Sequence, residues 1–353
     1  LYRSPSRGLG DVYKRQIYNI MKILVTGVAG FLGSHLSEKL SKMGHEIVGV
    51  DNMIGGYSDN VPKEINFFNF DCCDLKKMNE VMSGVDVVYH CAATAHEGLS
   101  VFSPYEIGKN NFLASSSVFS AAISNKVKRI VFCSSMARYG SQKTPFTENM
   151  TPKPVEPYGI SKVASEDLLK NLCDLNNIEW VIAVPHNIIG PRQKYDDPYR
   201  NVVSIMLNRI LQKQPPIIYG DGNQKRCFSY IDDCLSCLIP MLDQKNLNKQ
   251  IINIGPDEEF VTINQVSEIC SNVTGSNLKP IYKKDRPLEV KEATCSANKA
   301  RKLLNYKTET NLITGIRKTY EYIKQRGTKP FNYYFDIEIK NDLTPETWTK
   351  KEI

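Results

Sequence analysis

Tyr158 and Lys162 stand four residues apart in PYGISKVASE, a spacing that puts both side chains on one face of a helix. A phenol with a pKa near about 10 is a poor base at neutral pH. An ammonium beside it favours the phenolate and lowers that pKa. The pair suits proton transfer from an alcohol. On its own the spacing is common among surface residues. Here it comes after Ser135, where the apolar run RIVFC gives way to SSMARYG, and it shares the chain with a second chemical signal.

That signal is TGVAGFLG, Thr26 to Gly33, placed between an apolar strand and an amphipathic helix. Gly27, Gly30 and Gly33 leave a turn without Cβ atoms, so the backbone can approach a pyrophosphate at the helix N-terminus. Asp51 ends the next strand, where a carboxylate can accept hydrogen bonds from both hydroxyls of an adenosine ribose. It would repel a 2′-phosphate, and the adjoining NMIGGY offers no Arg or Lys, so NAD is favoured over NADP. Asp71, closing the third strand, stands within reach of an adenine, with a capping role as the alternative.

These groups need a sheet to hold them. Apolar or alternating runs recur at 22–26, 46–51, 66–71, 86–93, 129–135, 180–185 and 250–255, with helical stretches between them. Such alternation argues for parallel βαβ units, and strands apolar on both faces for a sheet covered on each side. The expected fold is α/β, a Rossmann-type doubly wound parallel sheet with a smaller α/β substrate-binding domain. The nucleotide-binding domain is expected over 21–184, rejoined by 229–256. The substrate-binding domain is expected over 185–228 and 257–330, with helices around 201–213, 263–274, 297–304 and 311–326. The tail, 331–353, is aromatic and polar and carries no functional signal. Residues 1–20 show no useful periodicity and no apolar signal-peptide segment before a start-like Met21, and are expected to be a non-native or disordered leader.

Of 353 residues, 41% are apolar and 24% charged, the balance of a soluble globular protein. No run of eighteen apolar residues offers a membrane span. The formal charge of +7 falls to +4 without the leader, whose Arg3, Arg7, Lys14 and Arg15 outweigh Asp11. Lys and Arg are spread along the rest, so no nucleic-acid partner is expected. Ten cysteines without a secretory signal point to the reduced cytoplasm. Cys234-x-x-Cys237 lacks a second pair, so buried thiols are expected and no metal.

Taken together, TGVAGFLG, Asp51, HCAAT (90–94), Asn111, SSMARYG, YGISK, PHNIIGPRQ (185–193), YGDGNQKRCFSYIDD (219–233) and RPLEV (286–290) resemble the extended short-chain dehydrogenase/reductase superfamily, in its nucleotide-sugar epimerase/dehydratase branch. The resemblance covers residues 21–326. It implies that Tyr158 is the general base, that Lys162 orients the ribose and activates Tyr158, and that Ser135 hydrogen-bonds the sugar O4. For NAD it implies Gly27, Gly30, Phe31, Leu32, Gly33, Asp51, Asn52, Asp71, Cys72, Ala92, Ala93, Asn111, Tyr158, Lys162 and Pro185. For the substrate it implies Ser135, Asn187, Arg226 and Arg286 toward sugar and diphosphate, and Tyr219 near the nucleobase. Glu289 stands where the family usually has Asp, toward a ribose. His186 replaces the usual aromatic. The helices at 104–124 and 157–176 resemble the pair through which the family forms homodimers.

The choice of reaction turns on the two residues after Ser135. Family members that eliminate water or decarboxylate keep an acid or base there, and Met136 and Ala137 transfer no protons. The expected reaction is therefore 4-epimerisation of a UDP-sugar, UDP-glucose/UDP-galactose or the N-acetyl pair, through a transient 4-keto sugar with NAD retained. Ala293 aligns with a family position where a small residue admits N-acetyl groups. Rival readings are a 4-keto reductase or C4 dehydrogenase, a 4,6-dehydratase or decarboxylase, and a catalytically silent nucleotide sensor.

Overall fold

The computed structural model describes residues 20–353, so the expected leader lies, but for Ile20, outside the described residues. Seven parallel strands form the central sheet. They are β1 (Lys22–Thr26), β2 (Glu46–Asp51), β3 (Asn66–Asn69), β4 (Val87–His90), β5 (Arg129–Cys133), β6 (Glu179–Pro185) and β7 (Gln250–Ile254), in the order β7-β6-β5-β4-β1-β2-β3. The order reverses between β1 and β4, and at such a switch point the carboxyl ends of the strands open a crevice.

The helices are α1 (Phe31–Lys42), α2 (Leu75–Val81), α3 (Glu97–Ser100), α4 (Pro104–Gly108), α5 (Ala114–Ser124), α6 (Pro157–Asn176) and α7 (Val202–Leu211), succeeded by helices at 231–238, 263–274, 298–304 and 312–326. α2, α5 and α6 cover one face of the sheet, where Met78, Val118 and Leu169 are buried. α1 and the helices at 231–238 and 298–304 cover the other through Leu36, Leu235 and Ala300. β1 and β5 are buried along almost their whole length, as strands apolar on both faces must be. A separate core joins α7 to the helices at 263–274 and 312–326.

Two expectations shift. The runs at 66–71 and 86–93 stop pairing at Asn69 and His90, leaving Asp71 and Cys91–Ala93 in loops at the sheet's carboxyl edge. The long helix expected over 104–124 is interrupted by a π turn at Lys109–Leu113, a local widening that often marks a functional site.

α6 carries the reactive pair, and its start is fixed by local chemistry. Pro157 occupies the first turn, where its missing N–H costs nothing. Glu156 caps the helix, its carboxylate accepting the N–H groups of Tyr158 at 2.7 Å and Gly159 at 2.9 Å. Two turns on from Tyr158, Glu166 meets Arg138, which stands just past β5 in a short 3₁₀ turn. Arg138 Nε lies 2.9 Å from Glu166 Oε1 and Nη2 lies 2.9 Å from Oε2. Both residues are buried, at 1% and 0% exposure. Ser134 Oγ donates to the same carboxylate, and the guanidinium lies 4.8 Å from the centre of the Tyr139 ring. A fork donor on a carboxylate is a geometrically specific joint, and this one fixes the end of β5 against the middle of α6.

Breaking such a pair leaves an uncompensated buried charge, worth about 3–5 kcal/mol. Arg138→Met should therefore lower the melting temperature sharply. Adding Glu166→Leu should restore much of the loss, because the stranded charge is then gone. A single variant that melts with the wild type would refute this role.

Candidate active site

A cleft of about 450 Å³ runs along the carboxyl edge of the sheet, between it and the core built around α7. At one end lies the glycine turn. Gly27 has φ +75°, and a Cβ there would approach the backbone nitrogen of Ala92 to 2.9 Å. A Cβ on Gly33 would meet the Gly27 carbonyl oxygen at 2.2 Å, so α1 packs on the turn only because position 33 is glycine. α1 has no side-chain cap, which leaves its first N–H groups for a ligand. Asp51 accepts from Ala29 N at 2.9 Å on one oxygen and from Met53 N at 2.7 Å on the other. Each oxygen keeps a lone pair for a ribose hydroxyl. Burial pushes the Asp51 carboxyl up, against three backbone N–H groups that pull it down. Phe31, Leu32, Asn52, Asp71, Cys72, Ala92, Ala93 and Pro185 also line the cleft. The bare glycine turn, the uncapped helix and the half-used carboxylate fit NAD.

Two residues assigned to the cofactor stand elsewhere. Gly30, half-buried, is the residue preceding α1 and is not among the cleft-lining residues, its N–H on Gly27 O at 3.0 Å. Asn111 is buried in the π turn, where its amide bonds both the N–H of Thr94, at 2.8 Å, and its carbonyl. It pins the loop after β4, and its neighbour Asn110 lines the cleft. His186 is likewise absent from the lining, its Nε2 lying 3.0 Å from the Pro256 carbonyl.

In the middle of the cleft stand Ser135, Tyr158 and Lys162. Lys162 Nζ donates to the Cys133 carbonyl at 2.9 Å and lies 5.9 Å from the centre of the Tyr158 ring. Burial lowers the ammonium to about 8. The Tyr158 phenol is pushed up, first by burial and then by the charge of Glu97, while the Ser135 hydroxyl beside it pulls down. The protein's own groups leave the phenol high, and the expected lowering rests on the ammonium together with the cationic nicotinamide ring. Met136 and Ala137 line the cleft beside Ser135 as inert walls.

The far end is cationic. Arg226 donates to the Val290 carbonyl at 2.7 Å, and a short strand pairing sets it opposite Ala293, which is buried in the lining. Arg286 lies over the Tyr219 ring at 4.9 Å. Glu289 holds both arginines, 2.7 Å from Arg286 Nη2 and 3.6 Å from Arg226 Nη2. Its carboxylate lines the cleft and braces two like charges close together. Asn187, at φ +40°, donates to the Cys227 carbonyl at 2.8 Å and lines the cleft nearby.

Sequence reasoning missed Glu97. It opens α3, and its side chain is exposed to the cleft that it helps to line. The carboxylate makes no hydrogen bond or ion pair among the described residues. Burial raises its pKa, against the charges of Arg226, Arg286 and Arg200. Glu156 was missed too: burial and then Glu97 raise it to about 7. A buried network joins His96 Nε2 to Asp197 Oδ2 at 2.7 Å and Tyr334 to the same oxygen at 2.6 Å. No motif announced these residues, because they converge from distant segments.

Residues 23–255 match the NAD dependent epimerase/dehydratase family. A relative in Methanocaldococcus jannaschii, provisionally named UDP-glucose 4-epimerase, is 35% identical over 86% of this chain and 99% of its own length. A UDP-N-acetyl-alpha-D-glucosaminuronate decarboxylase of Bacillus cytotoxicus is 30% identical over 86% and 98%. Among solved structures, UDP-glucuronic acid 4-epimerase from Bacillus cereus, in complex with UDP-glucuronic acid and NAD, superimposes with a TM-score of 0.81 at 30% identity, over 87% of this chain and all of the other. The glycine turn, the Ser135–Tyr158–Lys162 group and these likenesses agree, and the chain is an enzyme of the NAD-dependent epimerase/dehydratase family.

Proposed function

We propose that the protein is a UDP-sugar 4-epimerase, interconverting UDP-glucose and UDP-galactose or the N-acetyl pair. The observation that carries this reading is the placement of Ser135, Tyr158 and Lys162 in one cleft with Met136 and Ala137 beside them. Tyr158 takes the proton from O4, and Ser135 hydrogen-bonds that oxygen. NAD held in this cleft would supply reversible hydride acceptance at C4. Lys162 holds a cationic, buried environment beside the phenol. Once the 4-keto sugar has turned its other face, Tyr158 returns the proton. Arg226 and Arg286, braced by Glu289, anchor the diphosphate throughout, because fork donors suit phosphate oxygens. The small Ala293 in the wall supports acceptance of N-acetyl groups.

A homodimer is the proposed assembly. Tyr105, Phe112, Leu113 and Ile160 are large apolar residues left exposed on the helical stretch 104–124 and on α6, as a helical interface requires.

One observation favours a second reading. Glu97 brings a carboxyl to the cleft that Met136 and Ala137 do not provide, and a decarboxylase is among the relatives. Under that reading the oxidised sugar loses water, or a uronate sugar loses carbon dioxide.

Purified protein given UDP-glucose without added cofactor should form UDP-galactose of unchanged mass, with no net change in absorbance at 340 nm. Tyr158→Phe should lower kcat by at least ~10²-fold, the lower range for a general base, with NAD still bound. A product lighter by water from UDP-glucose, or by carbon dioxide when UDP-glucuronate is given instead, would favour the second reading, and a fully active Tyr158→Phe would end both. Light scattering on the same preparation should give twice the mass of the chain, and the mass of one chain would refute the dimer.

Glu97 also makes a pH prediction. Its charge raises Tyr158, so Glu97→Gln should lower the apparent pKa of the base. A base works deprotonated, so the rising limb of kcat against pH should move to lower pH. An unmoved limb, or one displaced to higher pH, would contradict the coupling.

A further inference from the structure

Beyond the helix at 312–326 the chain turns back over the cleft. Asn332 N donates to the Asp196 carbonyl at 2.8 Å, close to α7. The chain then crosses to the opposite wall. The Glu338 carboxylate accepts the N–H groups of Tyr105 and Glu106 at the start of α4, and Ile339 N donates to the Phe102 carbonyl at 2.8 Å. From there it returns to Tyr219, whose hydroxyl lies 2.6 Å from Thr347 Oγ1. Trp348, 2% exposed, fills a pocket made by Leu99, Phe102, Tyr199 and Phe335.

The last contacts bear on the substrate end. A Cβ on Gly98 would lie 3.3 Å from the Trp348 ring and 3.3 Å from Arg286 Nη1, so both side chains bear on α3 at the same point. Trp348 meets the Tyr219 ring at 6.4 Å between centres, at an angle of 65°. Arg286 is thus confined between the Tyr219 ring and α3, with Trp348 beside both. Groups ordered before binding spare the complex the entropy of ordering them.

We infer that residues 330–353 form the outer wall of the nucleotide subsite, and that Trp348 and Thr347 are positioning residues for a uridine diphosphate, acting through Tyr219 and Arg286. The inference rests on the UDP-sugar reading and assigns a role to a segment outside every motif of the sequence. None of these tail hydrogen bonds reaches the glycine turn or Asp51, and of the loop after β2 it is Ile54 that packs on the same aromatic cluster.

The test is calorimetric titration of the NAD-loaded protein with UDP alone, alongside steady-state kinetics. Trp348→Ala should weaken UDP by about tenfold or more, each tenfold being one decade in Kd, and raise KM by a similar factor. NAD content should match the wild type, and kcat should stay within about threefold, as loss of ground-state binding alone requires. Trp348→Phe, which refills the pocket, should recover most of the affinity. Thr347→Val removes only the hydroxyl and should weaken UDP by about threefold, in the range of one hydrogen bond. UDP binding unchanged in Trp348→Ala would overturn the inference. So would a joint fall in kcat and NAD content, the mark of general loosening. If Trp348→Ala does not fold, unchanged UDP affinity in Thr347→Val overturns it. A wild type that binds no UDP would instead overturn the UDP-sugar reading itself.

Discussion

The seating of α6 on the end of β5 is the constraint on which the rest of the site depends. Tyr158, Lys162 and Glu166 succeed one another at intervals of four, so one face of the helix carries all three. Each is tied differently. Glu156 caps the turn that bears Tyr158, Lys162 holds the Cys133 carbonyl, and Glu166 takes the Arg138 fork and the Ser134 hydroxyl. Ser135 sits between the last two anchors, so hydroxyl, phenol and ammonium are set relative to one another by the same joint. Rotation of the helix by one residue would turn the phenol and the ammonium away from the cleft and from Ser135.

The electrostatics of the cleft are balanced between its ends. Three arginines and two glutamates, Glu97 and Glu289, face the substrate end, and Lys162 stands deep in the middle. Burial favours the neutral form of an ionisable group. That is why the ammonium falls to about 8 while the phenol rises. A phenol kept high in the protein alone needs added positive charge to become a base, and the nicotinamide ring of oxidised NAD is cationic. Glu97 works against that demand, so its charge sets how far the phenol must be brought down.

Much of this was legible in the sequence because it depends on local rules. The seven apolar runs became the seven strands of one sheet, and the glycine turn and Asp51 took up the positions that backbone geometry requires. Tyr158 and Lys162 fell on one helical face because the helix period decides it. The rest was hidden because it depends on long-range convergence. Arg138, unexplained beside the inert Met136 and Ala137, finds its partner 28 residues on in the middle of α6. Glu97 lies in a segment without periodicity, and only the chain's path from β4 to α4 turns it into the cleft. Asn111 binds the backbone on both sides of Thr94 and Glu289 braces two arginines, pairings that no spacing in the sequence announces. The tail, featureless as a string, acquires its place through aromatic packing against residues 99, 102 and 199.

The central claim is that chemistry at this site is confined to C4, with Glu97 affecting charge without moving protons on the sugar ring. Turnover of unlabelled UDP-glucose in deuterium oxide, with the product sugar read by NMR, tests it most directly. If C4 is oxidised and reduced by the same hydride, the epimer carries no carbon-bound deuterium. Deuterium at C5 or C3 would show proton exchange beside the carbonyl and contradict the account.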